Sequence, residues 1–339
     1  MRTAYSFAFF LWLLACSESK EVKLQRFLNK GNVAASAQDY QQAVYYYQEA
    51  LEVEPCYTDA LNNLGTVYFR QGKWEQANAQ YDKAISCNPG YLEAYFNRAN
   101  SHYELKEYYK ALQDVKKIIE QRPDTALAHF TKGLIDTKLR DYEAAAADFR
   151  RALALDSANV DAFINLATVK YYQKNYSDAR SDLQRAERIR PEEPNIYNTL
   201  ALIAIEERKF DEAMEMVNKA LSLDARQPYY LNNRGYIQLS LGNLEAAESD
   251  INESISIDPH NGWAYRNKGI FYLMVGDFKS AERLLKQAHE MDAFIDKIHY
   301  YLGTAYMQNG NKTLACREFV NSQEAGEGML TERELSYCK

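Results

Sequence analysis

The sequence predicts an all-α solenoid of nine helix–turn–helix repeats, each 34 residues long, closed by a short C-terminal capping segment. Three observations carry this. Pro55, Pro89 and Pro123 lie 34 residues apart, and further steps of 34 reach Ser157, Pro191, Ala225, Pro259 and Ala293. Twelve residues before each stands an alanine: Ala43, Ala77, Ala111, Ala145, Ala179, Ala213, Ala247 and Ala281, with Ala315 in the last copy. Twenty-four before each stands a small residue: Gly31, Gly65, Ala99, Gly133, Ala167, Ala201, Gly235 and Gly269, then Gly303.

Each unit holds two amphipathic stretches of about 13 residues, apolar at steps of three and four, and both are expected to be helices. Short polar turns separate them, such as Gln38-Asp39-Tyr40, Gly72-Lys73-Trp74, Arg140-Asp141-Tyr142 and Gly276-Asp277-Phe278. The small residue of the first helix admits close approach by the second, and large residues such as Leu61, Tyr68 and Tyr81 fill the space between. Proline ends the second helix, because it lacks the N–H and disfavours helix in the residue before it. No unit buries its apolar face alone, so stacking forms one long core. Lys132 and Asp136 occupy usually apolar positions in the fourth unit, which is therefore expected to be locally irregular.

The second unit carries Leu61, Leu64-Gly65, Tyr68, Ala77, Tyr81, Ala84 and Pro89, and the ninth carries Leu302-Gly303, Tyr306, Ala315 and Phe319. This pattern resembles the tetratricopeptide repeat family. The resemblance covers residues 24–329, with repeats starting at 24, 58, 92, 126, 160, 194, 228, 262 and 296. It implies a right-handed α-solenoid whose first helices line a concave face that binds protein partners.

The first residues read differently. Met1-Arg2 is a charged start, and Ala4 to Ala15 is an apolar run too short to span a bilayer, which needs about 20 residues. Residues 1–15 are expected to be a signal peptide. Leu13-Leu14-Ala15-Cys16 resembles the bacterial lipoprotein cleavage motif, which implies lipidation of Cys16. Ser17 after that cysteine favours, by the same resemblance, the outer membrane of a bacterial envelope. Residues 16–23 would then be the lipidated N-terminus and tether, reaching at most ~25 Å. Periplasmic and surface orientation both stay open.

The net charge of −7 and pI near 5.5, without a basic cluster, exclude nucleic acid as an expected partner. Four cysteines remain besides Cys16: Cys56, Cys87, Cys316 and Cys338, which allow three pairings. Cys56 precedes the first helix of repeat two and Cys87 ends its second, and these ends meet in an antiparallel hairpin. Cys316 lies on the last second helix, beneath the tail that carries Cys338. Four free thiols are the other reading. The tail, residues 330–339, is expected to cap the open end through Leu330, Leu335 and Tyr337.

No catalytic constellation stands out. His102, His129, His260, His289 and His299 form no metal-ligand spacing, and no glycine-rich phosphate loop or nucleophile elbow occurs. His102, His129 and His299 fall where aromatic core residues usually sit. No enzyme, metal, cofactor or small-molecule substrate is expected. Asn29, Asn63, Asn97, Asn165, Asn233 and Asn267 recur two residues before the small position. They read either as amides that hold a bound peptide backbone or as amides that satisfy neighbouring repeats. Arg98, Arg234 and Lys268 sit beside three of them on the core side, which speaks against a carboxylate clamp like that of chaperone-binding members.

By the family geometry, positions 2, 5, 9, 12 and 13 of each repeat point into the concave face. Early repeats place polar residues there. Later ones place Phe96, Tyr103, Phe130, Ile164, Tyr171, Tyr172, Tyr229, Asn232, Tyr236, Trp263, Arg266 and Tyr300, which form the expected partner groove. The expected function is a non-catalytic protein-interaction scaffold of the cell envelope, gripping an apolar peptide segment, with Arg266 available to pair an acid of that ligand. The alternatives are an assembly factor for an outer-membrane or secretion component, and an accessory that presents substrate to a glycan- or peptidoglycan-acting enzyme.

Overall fold

The structure, a computed structural model, describes residues 19–339. Cys16 and the expected leader lie outside the described residues. The chain divides into two compact units, Met1–Ser157 and Ala158–Lys339.

Unit 1 stacks four helix pairs: α1 (Lys20–Ser36) with α2 (Tyr40–Val53), α3 (Thr58–Arg70) with α4 (Trp74–Cys87), α5 (Leu92–Glu104) with α6 (Tyr108–Gln121), and α7 (Ala126–Lys138) with α8 (Tyr142–Leu155). Unit 2 stacks five: α9 (Val160–Tyr172) with α10 (Tyr176–Ile189), α11 (Pro194–Glu206) with α12 (Phe210–Leu223), α13 (Pro228–Leu241) with α14 (Leu244–Ile257), α15 (Gly262–Val275) with α16 (Phe278–Met291), and α17 (Ile298–Gln308) with α18 (Lys312–Glu324). A last short helix, α19 (Glu332–Tyr337), packs on α18.

Successive first helices touch in both units, α1 to α3 to α5 in the first and α9 through α17 in the second. Successive second helices make no comparable contact. Each unit therefore curves toward its first helices. The alanines at the repeat positions of the second helices are fully buried, which lets the stack close.

The turn between the two helices is the same in all nine repeats. Its first residue is left-handed: Gly72, Gly242, Gly276 and Gly310 in four, and Gln38, Lys106, Arg140, Lys174 and Arg208 in the other five. Second helices end at the same place with or without proline. The residue before Ser157, Ala225 or Ala293 is as extended as the one before Pro55 or Pro89. Docking of the next repeat thus ends the helix even where the ring is missing.

Four expectations are corrected. Residues 20–23 do not form a tether: helix α1 begins at Lys20, capped by the Ser19 side chain, and Lys20 pairs with Glu54. The fourth repeat is regular, because its charges satisfy each other: Lys132 Nζ donates to Asp136 Oδ2 at 2.7 Å and to Asp148 Oδ2 at 2.6 Å. The ninth first helix starts at Ile298 and not at 296, with Lys297 left-handed before it. In the cap, Leu330 and Tyr337 pack on the last core cluster, but Leu335 is exposed and Glu334 is buried. The reason is a capping box, in which the Glu334 carboxylate turns back to the Thr331 N–H at 2.9 Å.

Candidate functional site

In unit 1 the expected groove residues are half-buried. Phe96 and Tyr103 pack on the core around Val115 and Ile135, with Tyr103 edge-on to Tyr108 at 5.5 Å. Phe130 leans on Phe149 at 5.8 Å. Each therefore offers only part of its ring to solvent.

Unit 2 separates the expected residues by position. Position 5 faces the neighbouring first helix and is closed: Ile164, Asn232 and Arg266 are all buried. Tyr300, at the same position, is half-buried and edge-on to Tyr301 at 5.3 Å. Positions 2 and 13 lie at the helix ends, away from that packing. There Tyr229 is 49% exposed, Tyr172 45% and Met274 47%. The other expected aromatics of this face are half-buried: Tyr171, packed on Tyr172 and Tyr176, then Tyr236 and Trp263.

Arg266 is not a free cation for a ligand. Its guanidinium lies over Tyr236 at 5.0 Å and over Trp263 at 4.8 Å. It donates to Asn267 Oδ1 at 2.8 and 3.0 Å and to the Asp296 carbonyl at 2.9 Å. An arginine fork engaged through all three of its nitrogens holds two aromatic rings in place.

Four of the six recurrent asparagines tie neighbouring repeats, whereas Asn29 accepts from Gln25 and Asn165 donates to the Asp161 carbonyl within their own helices. Asn63 donates to Asn32 Oδ1 at 2.9 Å and Asn97 to Asn62 Oδ1 at 2.8 Å in unit 1. Asn233 donates to Asn198 Oδ1 at 2.8 Å and Asn267 to Asn232 Oδ1 at 2.7 Å in unit 2. Each of these bonds ties one first helix to the preceding one. Asn232, expected in the groove, is an acceptor in this series.

A second series was not read from the sequence. The second helices carry buried acids one repeat length apart: Asp114 and Asp148, then Asp182 and, two repeats on, Asp250, with Glu318 in the last. Each meets a base of its own repeat. Arg98 grips Asp114 with two bonds of 2.6 and 2.8 Å, and Arg234 grips Asp250 with 2.7 and 2.8 Å. Lys170 reaches Asp182 at 2.6 Å, His129 lies 2.8 Å from Asp148, and His299 lies 2.8 Å from Glu318. Arg98, Arg234 and three of the histidines thus work inside the fold; His102 pairs with Glu107 at 2.6 Å. Acids spaced by 34 residues opposite Arg, Lys or His were the available signal.

Near the end of the inner face of unit 2, Lys297 donates to Glu206 Oε1 at 2.9 Å and lies 3.0 Å from Asp296. Burial works against its charge, but Asp296 and Glu206 outweigh that and hold its pKa above the ordinary lysine value. Burial raises the Tyr171 phenol well above its usual range, and the charges of Glu206 and Asp296 add to this.

Cys56 is joined to Cys87 and Cys316 to Cys338, with Cα–Cα distances of 5.5 and 5.4 Å. Among the described residues no group of three or more His, Cys, Asp or Glu is arranged to hold a metal, and no helix is long and apolar enough to cross a membrane. The first-helix face of unit 2 is thus a row of aromatic rings, two of which Arg266 holds in place.

Comparison with known proteins agrees with the repeat fold. Family models described as TPR repeat match residues 31–72 and 65–106. Models described as tetratricopeptide repeat match residues 92–125, 130–194, 170–232 and 228–261. Among curated proteins none matches in sequence. A solved structure described as the functional characterisation of Pseudomonas aeruginosa pilF superposes with a TM-score of 0.54 at 18% identity, covering 63% of this chain and 97% of that one. The APC/C hetero-tetramer Cut9–Hcn1 gives a TM-score of 0.63 at 16% identity, covering 95% of this chain and 63% of that one. Both are likenesses of fold.

Proposed function

We propose, from the premise that the chain belongs to the tetratricopeptide repeat family, that it is a non-catalytic scaffold which holds a segment of a partner protein along its first-helix face. One observation carries the reading. The inner face of unit 2 leaves Tyr172, Tyr229 and Met274 substantially exposed, beside half-buried Tyr171, Tyr236 and Trp263. Rigid aromatic anchors around an apolar strip are the usual hot-spot composition of an interface. The alternation of tyrosine hydroxyls and apolar ring faces suits an extended or helical apolar segment with scattered polar groups.

The reading extends to the cell envelope, with attachment through lipidated Cys16, most simply at the outer membrane. Its support is the leader-like start of the sequence and the two disulfides, which persist in oxidising compartments and are rare in reducing ones. The experiment is crosslinking capture from intact envelopes, with Tyr172→Ala, Tyr229→Ala and Met274→Ala compared with the parent protein. Loss of the captured partner in folded variants is the expected result. Undiminished capture by all three overturns the groove. Fatty-acid labelling that persists in Cys16→Ala overturns the anchor.

A further inference from the structure

Helix packing in unit 2 joins each helix only to its next or next-but-one neighbour in the chain. Solenoids held in this way behave as springs, because the rotation between repeats is set at each interface and accumulates along the stack. A polar contact between the sixth and ninth repeats reaches beyond that rule. Glu206 ends the first helix of the sixth repeat, and Lys297 precedes the first helix of the ninth. They are 91 residues apart in sequence, and their side chains meet at 2.9 Å.

The local structure is built around this contact. The ninth first helix begins only at Ile298, after the repeat start at 296, and Lys297 adopts a left-handed φ of 61°, uncommon for a residue with a side chain. Ile295, just before it, is fully packed against Gly262 of the eighth repeat. The Asp296 carbonyl accepts from Arg266 at 2.9 Å. The amides freed at the start of α17 are taken by Glu327 from the following loop, which accepts from His299 N–H at 3.2 Å and from Tyr300 N–H at 2.8 Å. Lys297 is thereby fixed on the inner side. It is only 16% exposed, and Glu206 only 25%, so water screens the pair less than it screens a surface ion pair. Tyr171, which both Glu206 and Asp296 influence, places the fifth repeat beside the same spot.

We propose that Glu206 and Lys297 form a brace across the first-helix face of unit 2, which locks the summed curvature of repeats six to nine and so sets the width of the groove. The brace is a device of the fold and exists without a partner. Its consequence for binding rests on the groove reading above: a groove held at one width is preorganised for its ligand.

The test places a pair of spin labels at Asp211 and Ala293 in the full chain, both exposed, the first in the repeat of Glu206 and the second just before Lys297. The labels are attached through a ketone-bearing amino acid, so that no thiol is added. The parent protein is expected to give one narrow distance. Glu206→Gln and Lys297→Met are each expected to shift it to longer and broader distances, with helix content unchanged by circular dichroism. The exchanged pair, Glu206→Lys with Lys297→Glu, is expected to narrow it again. Coincident distances in the parent and both single variants overturn the brace. Capture of the envelope partner by Lys297→Met is expected to fall. Full capture despite a shifted distance overturns the role in setting the groove, whereas insensitivity of capture to Tyr172→Ala and Tyr229→Ala strikes the groove reading itself and leaves the distance result standing.

Discussion

A Cβ on Gly65 would lie 2.5 Å from the ring of Tyr81, which is almost wholly buried. The same encounter recurs between Gly31 and Tyr47, Gly133 and Phe149, and Gly303 and Phe319. The small residue of the first helix is thus the floor on which the large residue of the second helix lies. Gly65→Ala is expected to destabilise unit 1 by about 2 kcal/mol, since the ring has nowhere to go. Urea unfolding of the single variant, compared with Gly65→Ala combined with Tyr81→Leu, checks it. The smaller side chain is expected to recover part of the loss.

Lys106 adopts φ 59° at a turn where four other repeats use glycine. A side chain there strains the backbone by roughly 1–2 kcal/mol, partly offset by the entropy that glycine loses on folding. Lys106→Gly is therefore expected to raise stability by about 0.5 kcal/mol or more. An unchanged or lower denaturation midpoint would contradict this.

Asp250 is buried and is held by two bonds from Arg234, whose other contact among the described residues is Asn218 at 3.2 Å. Removing the acid leaves a half-buried guanidinium without its main partner. Asp250→Ala is expected to cost about 3 kcal/mol, and a second change, Arg234→Met, to restore a good part of that. A double-mutant cycle in denaturant measures it.

Burial pushes the phenols of Tyr47 and Tyr81 up to about 12 from an ordinary 10.0. A folded-state value above the unfolded one means that their stabilising contribution is complete below pH 10 and is lost as pH rises through 12. Unit 1 is expected to lose stability steeply over that window. Tyr47→Phe and Tyr81→Phe, followed by denaturant midpoints against pH, are expected to flatten the decline.

The two disulfides close loops with sequence separations of 31 and 22 residues. Replacing either pair with serines is expected to cost roughly 3 kcal/mol through the freed unfolded chain. Without Cys316–Cys338 the cap helix α19 loses its covalent tie, so hydrogen exchange there is expected to rise before exchange in α18 does.

The period of the sequence determined the helix pairs, their turns and the packing of alanine and glycine against large residues. Each of these is a contact within a repeat or between adjacent repeats, and a 34-residue pattern repeats it nine times. The same locality explains why both pairings stood among the readings of the sequence: Cys56 and Cys87 lie at ends that one hairpin brings together, and Cys338 lies on the tail that folds back over the helix of Cys316. The tertiary structure decided what the pattern leaves open. Position 5 reads as groove in a single repeat, yet stacking turns it toward the neighbouring first helix, which consumes Ile164, Asn232 and Arg266 and leaves Tyr172 and Tyr229 to solvent. The charges of Lys132 and Asp136 read as a defect because their partner, Asp148, lies on the other helix of the hairpin. The meeting of Glu206 with Lys297 depends on curvature summed over three repeats. No local pattern encodes that sum, because it is the small rotation at each interface, multiplied along the stack, that brings the two ends together.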